Sequence, residues 1–239
     1  MKPTFSPRLQ DRLLSLWFPS RCLMCGKVVR VDELFCPACR ESCPSVPQRR
    51  SFSLPQEFCV YAPLPYAGGF RKTLHALKFQ GQKGRGEAIG QLMASILEAL
   101  PPAELVTWVP MTPQKQLARG YNQSEALARA AARALELPAL PILTKLRETA
   151  TQHELSREAR KENVKGAYAA DQRANGKAIL LIDDIVTTGS TICECAAALY
   201  GAGAKQVVGL CAANAEDLKE EGETAHGNPL FTRGKPHRP

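Results

Sequence analysis

The sequence predicts an α/β protein with a mainly parallel sheet flanked by helices, preceded by a small N-terminal module that carries four cysteines. Two observations support this prediction. Between residues 58 and 214, apolar segments typical of strands alternate with amphipathic helical segments, as in parallel sheets joined by right-handed crossovers. Ahead of them, two CxxC pairs are separated by ten residues. We therefore expect one substantial core and one small accessory module.

Composition narrows the class of protein. The chain has 239 residues and a hydrophobic content of 44%, which is ordinary for a soluble globular protein. Its net charge of +8 favours anionic partners such as phosphates or nucleic acid. Arg8, Asp11 and Arg12 interrupt the region where a signal peptide needs an apolar core, and no apolar run approaches the roughly 18 residues of a membrane span. We expect no membrane span and a cytoplasmic location.

The first predicted unit covers residues 1–45. Residues 8–17 have leucines at helical spacing and predict a short amphipathic helix. In the cysteine-rich segment that follows, the two CxxC pairs supply four thiolates, which close the tetrahedral shell of a structural Zn²⁺ ion with no open position. The predicted ligands are Cys22, Cys25, Cys36 and Cys39. Cys43 lies close enough in sequence to replace one of them, and that alternative stays open.

Nine cysteines in a chain of this length do not indicate a disulfide framework, because the number is odd and four of them form the CxxC pairs. The other cysteines lie in predicted strands or in a helix, and we expect them to be small buried apolar residues. These are Cys59, Cys193, Cys195 and Cys211.

Residues 43–57 contain the Pro, Ser and Arg content of a linker, so the main domain is predicted to span 58–214. Within it, hydrophobic periodicity predicts a series of alternating elements. They are a strand at 58–66, helices at 69–79 and 86–100, a strand at 104–110, a helix at 123–137 capped by Asn122 or Ser124, a polar basic stretch at 144–165, a strand at 178–183, a helix at 190–200 and a strand at 206–213. The tail at 215–239 loses periodicity, and we expect it to be disordered.

The segment "AILLIDDIVTTGST" has the features of a phosphate site. Ligands of parallel sheets bind beyond the carboxyl ends of the strands, and Asp183 and Asp184 end the most apolar strand of the chain. Gly189 permits close backbone approach at the start of a helix, whose free amides and positive dipole end attract an anion. The hydroxyls of the same turn belong to Thr187, Thr188, Ser190 and Thr191. Because the chain has no GxxxxGK[ST] motif, we expect a monophosphate cradle, with the aspartates facing ribose hydroxyls or a hydrated Mg²⁺.

The stretch "ILLIDDIVTTGST" closely resembles the signature of type I phosphoribosyltransferases. The resemblance implies that fold, with Asp183 and Asp184 at the catalytic position on the ribose hydroxyls of 5-phosphoribosyl-1-pyrophosphate (PRPP), and with residues 187–191 on its 5-phosphate. Three further stretches, "LKFQG", "ARGYNQSEALA" and "TQHELSREARKENVKGAY", together with the CxxC pairs, resemble the ComF family of phosphoribosyltransferase-like proteins.

The ComF resemblance implies two further ligand-binding segments. A loop after an earlier strand holds the pyrophosphate in such proteins, and here "VPMTPQKQLARG" offers Lys115 and Arg119 as its cations. Gln114 and Gln116 stand where family members often carry arginine. A flexible loop at 152–168 closes over the reaction, with Arg160 on the family pattern; the alternative is a solvated charged helix face.

Three functions remain open from the sequence. The first is phosphoribosyl transfer from PRPP with Mg²⁺ to a base that the sequence does not identify. The second is single-stranded DNA binding, because the ComF resemblance implies a role in DNA uptake during natural transformation, in company with competence-machinery proteins. Arg49 and Arg50 are candidate DNA contacts. The third is a regulator that senses PRPP and catalyses nothing, since a fold alone does not establish an activity.

Overall fold

A computed structural model describes residues 19–44, 46–80, 83–96, 100–149 and 163–215. The predicted helix at 8–17 and the predicted disordered tail after residue 215 lie outside these residues. So does most of the predicted flexible loop, including Arg160. The division into a module at 1–45 and a domain at 58–214 stays a prediction.

The strands form a main sheet of six and a separate antiparallel pair. In chain order they are β1 (Gln48–Ser53), β2 (Glu57–Ala62), β3 (Leu64–Pro65), β4 (Leu105–Trp108), β5 (Leu143–Lys145), β6 (Tyr168–Ala170), β7 (Ala178–Val186) and β8 (Gln206–Asn214). The main sheet has the order β1-β2-β8-β7-β4, with β3 also paired to β8, and β5 pairs with β6. Every pairing of the main sheet is parallel except β1 with β2. The predicted mainly parallel sheet is confirmed.

Strand β1 corrects the predicted linker at 43–57. Its residues pair in antiparallel register with β2, from Gln48 opposite Ala62 to Ser53 opposite Glu57. Exposed and half-buried residues alternate along it, so Arg49 faces solvent while Phe52 packs against the core. An edge strand with arginines and flanking prolines has the composition of a linker. The segment was not predicted as a strand because its pairing partner cannot be read from the segment itself.

In the part of the chain that the structure describes, six α-helices accompany the sheet: α1 (Pro37–Glu41), α2 (Gly68–Gln80), α3 (Lys83–Ala94), α4 (Pro113–Arg119), α5 (Gln123–Leu135) and α6 (Ser190–Gly201). Side chains of a strand alternate between faces, so β7 contributes to two hydrophobic cores, one on each face of the sheet. Leu180 and Ile182 pack with α2, α3 and α5, whereas Ile179 and Leu181 pack with α6. Within the described ranges, no helix combines the length and apolar character that crossing a bilayer requires.

The cysteine module is docked on α2. Leu23 is 2% exposed and packs among apolar residues of α2, and its carbonyl accepts a hydrogen bond from Thr73 Oγ1 at 2.8 Å. At Gly69, a Cβ atom would lie 1.4 Å from the carbonyl oxygen of Met24, so only glycine permits this approach of the two backbones. The module and the helix therefore form one packed unit.

Candidate functional site

The connections of the sheet define a crevice between β4 and β7. Strand β7 continues through α6 to β8 on one side. Strand β4 continues through α5 to Ala139, which pairs in parallel with Val106 on the other edge of β4. Helices α5 and α6 lie on opposite faces of the sheet. In open α/β sheets, ligands bind beyond the carboxyl ends of the strands at such a switch point. The candidate site therefore lies between the segments that follow β4 and β7.

Asp183 and Asp184 stand on β7 beyond the end of β4. The last residue of β7 in register with β4 is Ile182, so both aspartates extend past the shorter strand. Both are half-buried. One oxygen of Asp183, Oδ1, accepts from Ser124 Oγ at 2.8 Å and from the amide of Asp184 at 2.9 Å. Ser124 belongs to the first turn of α5, so this bond joins the two sides of the crevice and fixes the orientation of the carboxylate.

The charge of Asp184 affects the pKa of Tyr121, in the segment that follows β4. Burial raises the pKa of Tyr121, and the negative charge of Asp184 raises it further. The hydroxyl of Tyr121 donates to the carbonyl of Leu77 on α2. The neighbouring Asn122 caps α5 by accepting from the amides of Ser124 and Glu125, as the sequence predicted for this position. Helix α2 is thus connected to the segment that follows β4.

The turn after β7 has the geometry of an anion cradle. Gly189 has a φ of +80° and precedes α6, and Thr188 and Ser190 are buried with their hydroxyl oxygens 2.9 Å apart. Thr187 is exposed, and Thr191 is half-buried in the first turn of α6. Free amides at the start of a helix attract anions, and the hydroxyls of this turn add donors. The five residues predicted to hold a phosphate therefore form one continuous turn at the crevice.

The segment after β4 forms a short helix, α4, rather than an open loop. Thr112 caps it and Gly120, with a φ of +81°, ends it. Lys115 Nζ lies 3.3 Å from the carboxylate of Glu148 and 3.4 Å from the carbonyl of Thr149. Arg119 is exposed, with Nη1 3.5 Å from Gln123 Oε1. The two predicted pyrophosphate cations thus lie one turn apart on α4, on the β4 side of the crevice.

Lys145 is a cation of this region that sequence reasoning missed. It is half-buried at the end of β5, donates to Thr149 Oγ1 at 2.9 Å, and lies 5.4 Å from the ring centroid of Tyr168. Its pKa is lowered by burial and by the charge of Lys115. Two lysines thus converge on Thr149, with Glu148 as the nearby carboxylate. In sequence, Lys145 is one of several cations in a polar stretch, and nothing marks it as buried.

Strand β1 also reaches the site. Arg50 Nη1 donates to the carbonyl of Thr187, and lies 3.5 Å from Asn214 Oδ1 at the end of β8. A Cβ atom on Gly189 would lie 2.3 Å from the ring of Phe52. Arg49 instead contacts Glu57 at 3.0 Å and Cys59 Sγ at 2.9 Å on the exposed face. The arginines predicted as DNA contacts therefore have different environments.

The four predicted zinc ligands lie together. The Sγ atoms of Cys22, Cys25, Cys36 and Cys39 are all within 4.8 Å of one another, and those of Cys25 and Cys36 are 3.7 Å apart. Four sulfurs around one Zn²⁺ at about 2.3 Å stand about 3.8 Å from each other, so the cluster fits a zinc module. Cys43 is outside this group of four, and its Sγ lies 3.2 Å from the carbonyl of Cys39.

The ionisation of the cluster agrees with a cation site. Burial raises the pKa of Cys22, but hydrogen bonds from the backbone at Cys25, Cys36 and Met24 outweigh it and lower the pKa to about 6. The pKa of Cys39 is raised by burial and by hydrogen bonds to the other thiols. Burial is the largest cause at Cys39, and the negative charge of Cys22 adds to it. A bound dication offsets that negative charge.

The other cysteines differ in burial. Cys195 and Cys211 are buried, and burial raises the pKa of both thiols, as expected for small core residues. Cys59 and Cys193 are only partly buried, so the predicted burial is wrong for these two. Cys59 lies on β2, opposite Ser51 of the edge strand, where solvent reaches both residues.

A mainly parallel sheet with an acidic strand end and a hydroxyl-rich turn at its switch point defines a phosphoribosyltransferase-like protein. Residues 122–224 match the family model described as phosphoribosyl transferase domain. DNA utilization protein YhgH of Escherichia coli is 33% identical over 208 residues, covering 80% of this chain and 89% of that protein. The chain belongs to the ComF family of phosphoribosyltransferase-like proteins.

Other relatives extend the comparison. Competence protein F of Haemophilus influenzae is 32% identical over 144 residues, covering 56% of this chain and 63% of that protein. Competence protein ComFC of Streptococcus pneumoniae is 25% identical over 218 residues, covering 78% and 96%. Among solved structures, glutamine phosphoribosylpyrophosphate amidotransferase from B. subtilis is 25% identical, with a TM-score of 0.38. That match covers 53% of this chain and 26% of the other.

Proposed function

We propose that this protein binds PRPP with Mg²⁺ in the crevice between β4 and β7. The observation that carries the proposal is the continuity of Asp183 and Asp184 with the turn at 187–191, because together they offer carboxylates to a sugar and donors to its phosphate. Lys115 and Arg119 supply cations for the pyrophosphate from α4. Arg160, in the segment outside the described residues, is a further candidate by resemblance to the ComF family.

Phosphoribosyl transfer asks little covalent chemistry of the protein. Pyrophosphate leaves C1 of the ribose while positive charge develops on the ring, so the protein positions the groups and stabilises charge. Mg²⁺ is typically held by one or two carboxylates together with substrate phosphates, and the paired aspartates suit that role. Two donors on one oxygen of Asp183 fix the orientation of that carboxylate.

The experiment is a calorimetric titration of PRPP in the presence of Mg²⁺. Replacing both aspartates, as Asp183→Asn with Asp184→Asn, should lower the affinity by at least about tenfold, because charge-assisted contacts are lost. Asp171→Asn is the matched control, since Asp171 is an exposed carboxylate paired with Arg173. If the double variant binds PRPP as tightly as the unaltered protein, the proposed site is wrong.

A second measurement separates transfer from sensing. Release of pyrophosphate from PRPP is followed across a panel of bases, with the same double variant as the blank. Base-dependent release supports a transferase. Binding of PRPP with no release for any base supports a sensor that holds the sugar phosphate without reacting it.

We also propose that the four-cysteine cluster binds one structural Zn²⁺ ion. Four thiolates leave no open position on a tetrahedral ion, so the site has no catalytic role. Metal analysis of the purified protein should find one zinc per chain. Replacing Cys36, one of the two buried ligands, with serine should abolish zinc retention, whereas Cys211→Ser should leave it unchanged.

A second candidate function, single-stranded DNA binding in DNA uptake, is favoured by the α2 face, which carries the exposed side chains of Arg71, Lys72 and His75. Between residues 68 and 86, which span α2 and the start of α3, the chain has five Lys or Arg and no Asp or Glu. Arg71, Lys72 and His75 line an open cavity of about 500 Å³. The names of the relatives refer to DNA utilization and competence, which supports DNA as a partner. Competence-machinery proteins are proposed as further partners from the resemblance to the ComF family.

The DNA proposal predicts an affinity that falls steeply with salt, because bound phosphates release counterions. Reversing the charge of Arg71 and Lys72 to Glu should weaken binding of an oligonucleotide at least tenfold and flatten its salt dependence. The control reverses Arg173 and Lys177, which already form ion pairs with Asp171 and Glu104. Equal loss in both variants would mean that net charge, not the α2 face, governs binding.

A further inference from the structure

We propose that Arg50 of strand β1 is a positioning residue for the 5-phosphate turn at 187–191 and places a positive charge beside that turn. The proposal rests on the proposed PRPP site and assigns a role to a strand that the phosphoribosyl transferase domain match at 122–224 does not include. The turn itself reads Thr-Thr-Gly-Ser-Thr and has no charged side chain. A positive side chain close to the turn would add to the attraction that the free amides and the helix dipole exert on a phosphate dianion.

Arg50 is placed to provide this charge. Its Nη1 donates to the carbonyl of Thr187, the first residue of the turn, although 137 positions separate the two residues in the chain. The guanidinium of arginine offers five N–H donors in a planar fork. The same nitrogen lies 3.5 Å from Asn214 Oδ1, so Arg50 joins the ends of β7 and β8, two adjacent strands of the sheet.

The contact also orients the backbone of the turn. A trans peptide is planar, with its carbonyl and its N–H pointing in opposite directions. When Arg50 holds the carbonyl of Thr187, the N–H of Thr188 is directed away from the guanidinium. Ser190 Oγ lies 2.9 Å from Thr188 Oγ1, so the side chain of Thr188 is held as well as the peptide that precedes it. The bond to Arg50 thereby sets the direction of a donor available to an anion.

Phe52 holds the strand against the same turn. A Cβ atom on Gly189 would lie 2.3 Å from the Phe52 ring, which places the ring directly over the glycine. The guanidinium of Arg50 lies 5.1 Å from the centroid of that ring, and Phe52 packs at 6.2 Å from Phe58. Residues 50 and 52 lie on one face of β1 because strand side chains alternate. One face of β1 therefore supports the turn through two side chains.

Arg49 provides a matched control on the opposite face of the same strand. It is exposed and contacts Glu57 and Cys59, away from the turn. Replacing either arginine with glutamine removes one positive charge, so the two variants have the same net charge. The comparison of Arg50→Gln with Arg49→Gln isolates the position of the charge from its amount. Arg50→Lys keeps the charge and loses the planar fork, which separates charge from hydrogen-bond geometry.

The test measures dissociation constants for ribose 5-phosphate, PRPP and inorganic pyrophosphate by calorimetry in each variant. Arg50→Gln should weaken the binding of ribose 5-phosphate and PRPP about tenfold, because the turn loses its anchor and the positive charge beside it, and should leave the binding of pyrophosphate within about twofold. Arg49→Gln should stay within about twofold for all three ligands. Arg50→Lys should fall between Arg50→Gln and the unaltered protein.

Hydrogen exchange adds a measurement that needs no ligand. The amide of Cys193, which donates to the carbonyl of Gly189 in this turn at 2.9 Å, should exchange faster in Arg50→Gln than in Arg49→Gln, because the turn loses its anchor. If the unaltered protein binds neither PRPP nor ribose 5-phosphate, the proposed function fails, and the exchange result alone decides whether Arg50 orients the turn. If Arg50→Gln binds ribose 5-phosphate normally, or loses all three ligands equally, the role of Arg50 is overturned while the PRPP site stands.

Discussion

Replacing Gly69 with alanine should undock the cysteine module from α2. The new Cβ would stand 1.4 Å from the carbonyl oxygen of Met24, so the two backbones must separate by about 2 Å to reach an ordinary contact. The clash is with backbone atoms rather than with the far end of a side chain, so rotation of a side chain cannot relieve it. Separation by this distance withdraws Leu23 from its pocket.

The expected loss of stability follows from the contacts that separate. Burying a leucine side chain fully stabilises by about 1.5 to 3 kcal/mol, and the hydrogen bond from Thr73 to the Leu23 carbonyl adds about 1 kcal/mol. We expect the free energy of unfolding to fall by about 3 kcal/mol. For a chain of this size, that corresponds to a melting temperature roughly 10 °C lower.

The assay is thermal unfolding by circular dichroism, with zinc content measured on the same samples. Gly201→Ala is the control, because a Cβ there meets nothing within 4 Å; its stability should change by less than about 1 kcal/mol. Gly69→Ala should melt early and hold zinc less tightly, because the displaced backbone at Met24 also donates a hydrogen bond to Cys22. A Gly69→Ala protein that melts within 1 °C or so of the unaltered protein would refute the close docking of module and helix.

Three further predictions concern the cap, the metal and the buried lysine. Asn122→Ala should lower the free energy of unfolding in urea by about 2 kcal/mol, because it removes the cap of α5 and leaves the Val109 carbonyl without its 3.1 Å donor. Asn122→Asp keeps the capping oxygen and should recover about half of this loss. Full stability of Asn122→Ala would contradict the cap. Chelating zinc should lower the melting temperature reversibly, with recovery on adding Zn²⁺ but not Mg²⁺; an unchanged melting curve after verified zinc loss would exclude a structural metal. Lys145→Met should remove a pH dependence of stability. The pKa of Lys145 is lower in the folded state than its ordinary value of 10.5. At pH values between the two pKa values the unfolded state binds more protons than the folded state, so the stability of the protein rises with pH. Urea unfolding at pH 8 and pH 10 should show a smaller rise in the variant, and equal rises would refute the burial of Lys145.

The sequence was sufficient for elements whose signals are local. Hydrophobic periodicity predicted α5, and the side chain of Asn122 caps it as expected. The apolar run ending in Asp183 predicted β7 and its position at a strand end, because burial on both faces leaves a continuous apolar segment. The spacing of the two CxxC pairs predicted that the four thiols lie together, because this spacing lets them surround one metal ion.

Features that depend on distant partners could not be predicted. Strand β1 has the composition of a linker, and its pairing with β2 and its contact with Thr187 arise from tertiary structure. The hydrogen bond between Ser124 and Asp183 joins residues 59 positions apart, and neither residue marks the other in sequence. Lys145 was missed because burial of a lysine depends on what packs around it, here the ring of Tyr168.

The position of β8 between β2 and β7 has a consequence for the order in which the chain folds during synthesis. Strand β2 emerges from the ribosome about 150 residues before its parallel neighbour, so at typical synthesis rates its inner edge waits on the order of ten seconds or more. Over that interval β2 presents unpaired amides and carbonyls that invite association with other chains. The antiparallel partner β1 closes the outer edge early, because its residues are already synthesised. Completion of the sheet, and with it the crevice, therefore awaits the arrival of residues 206–214.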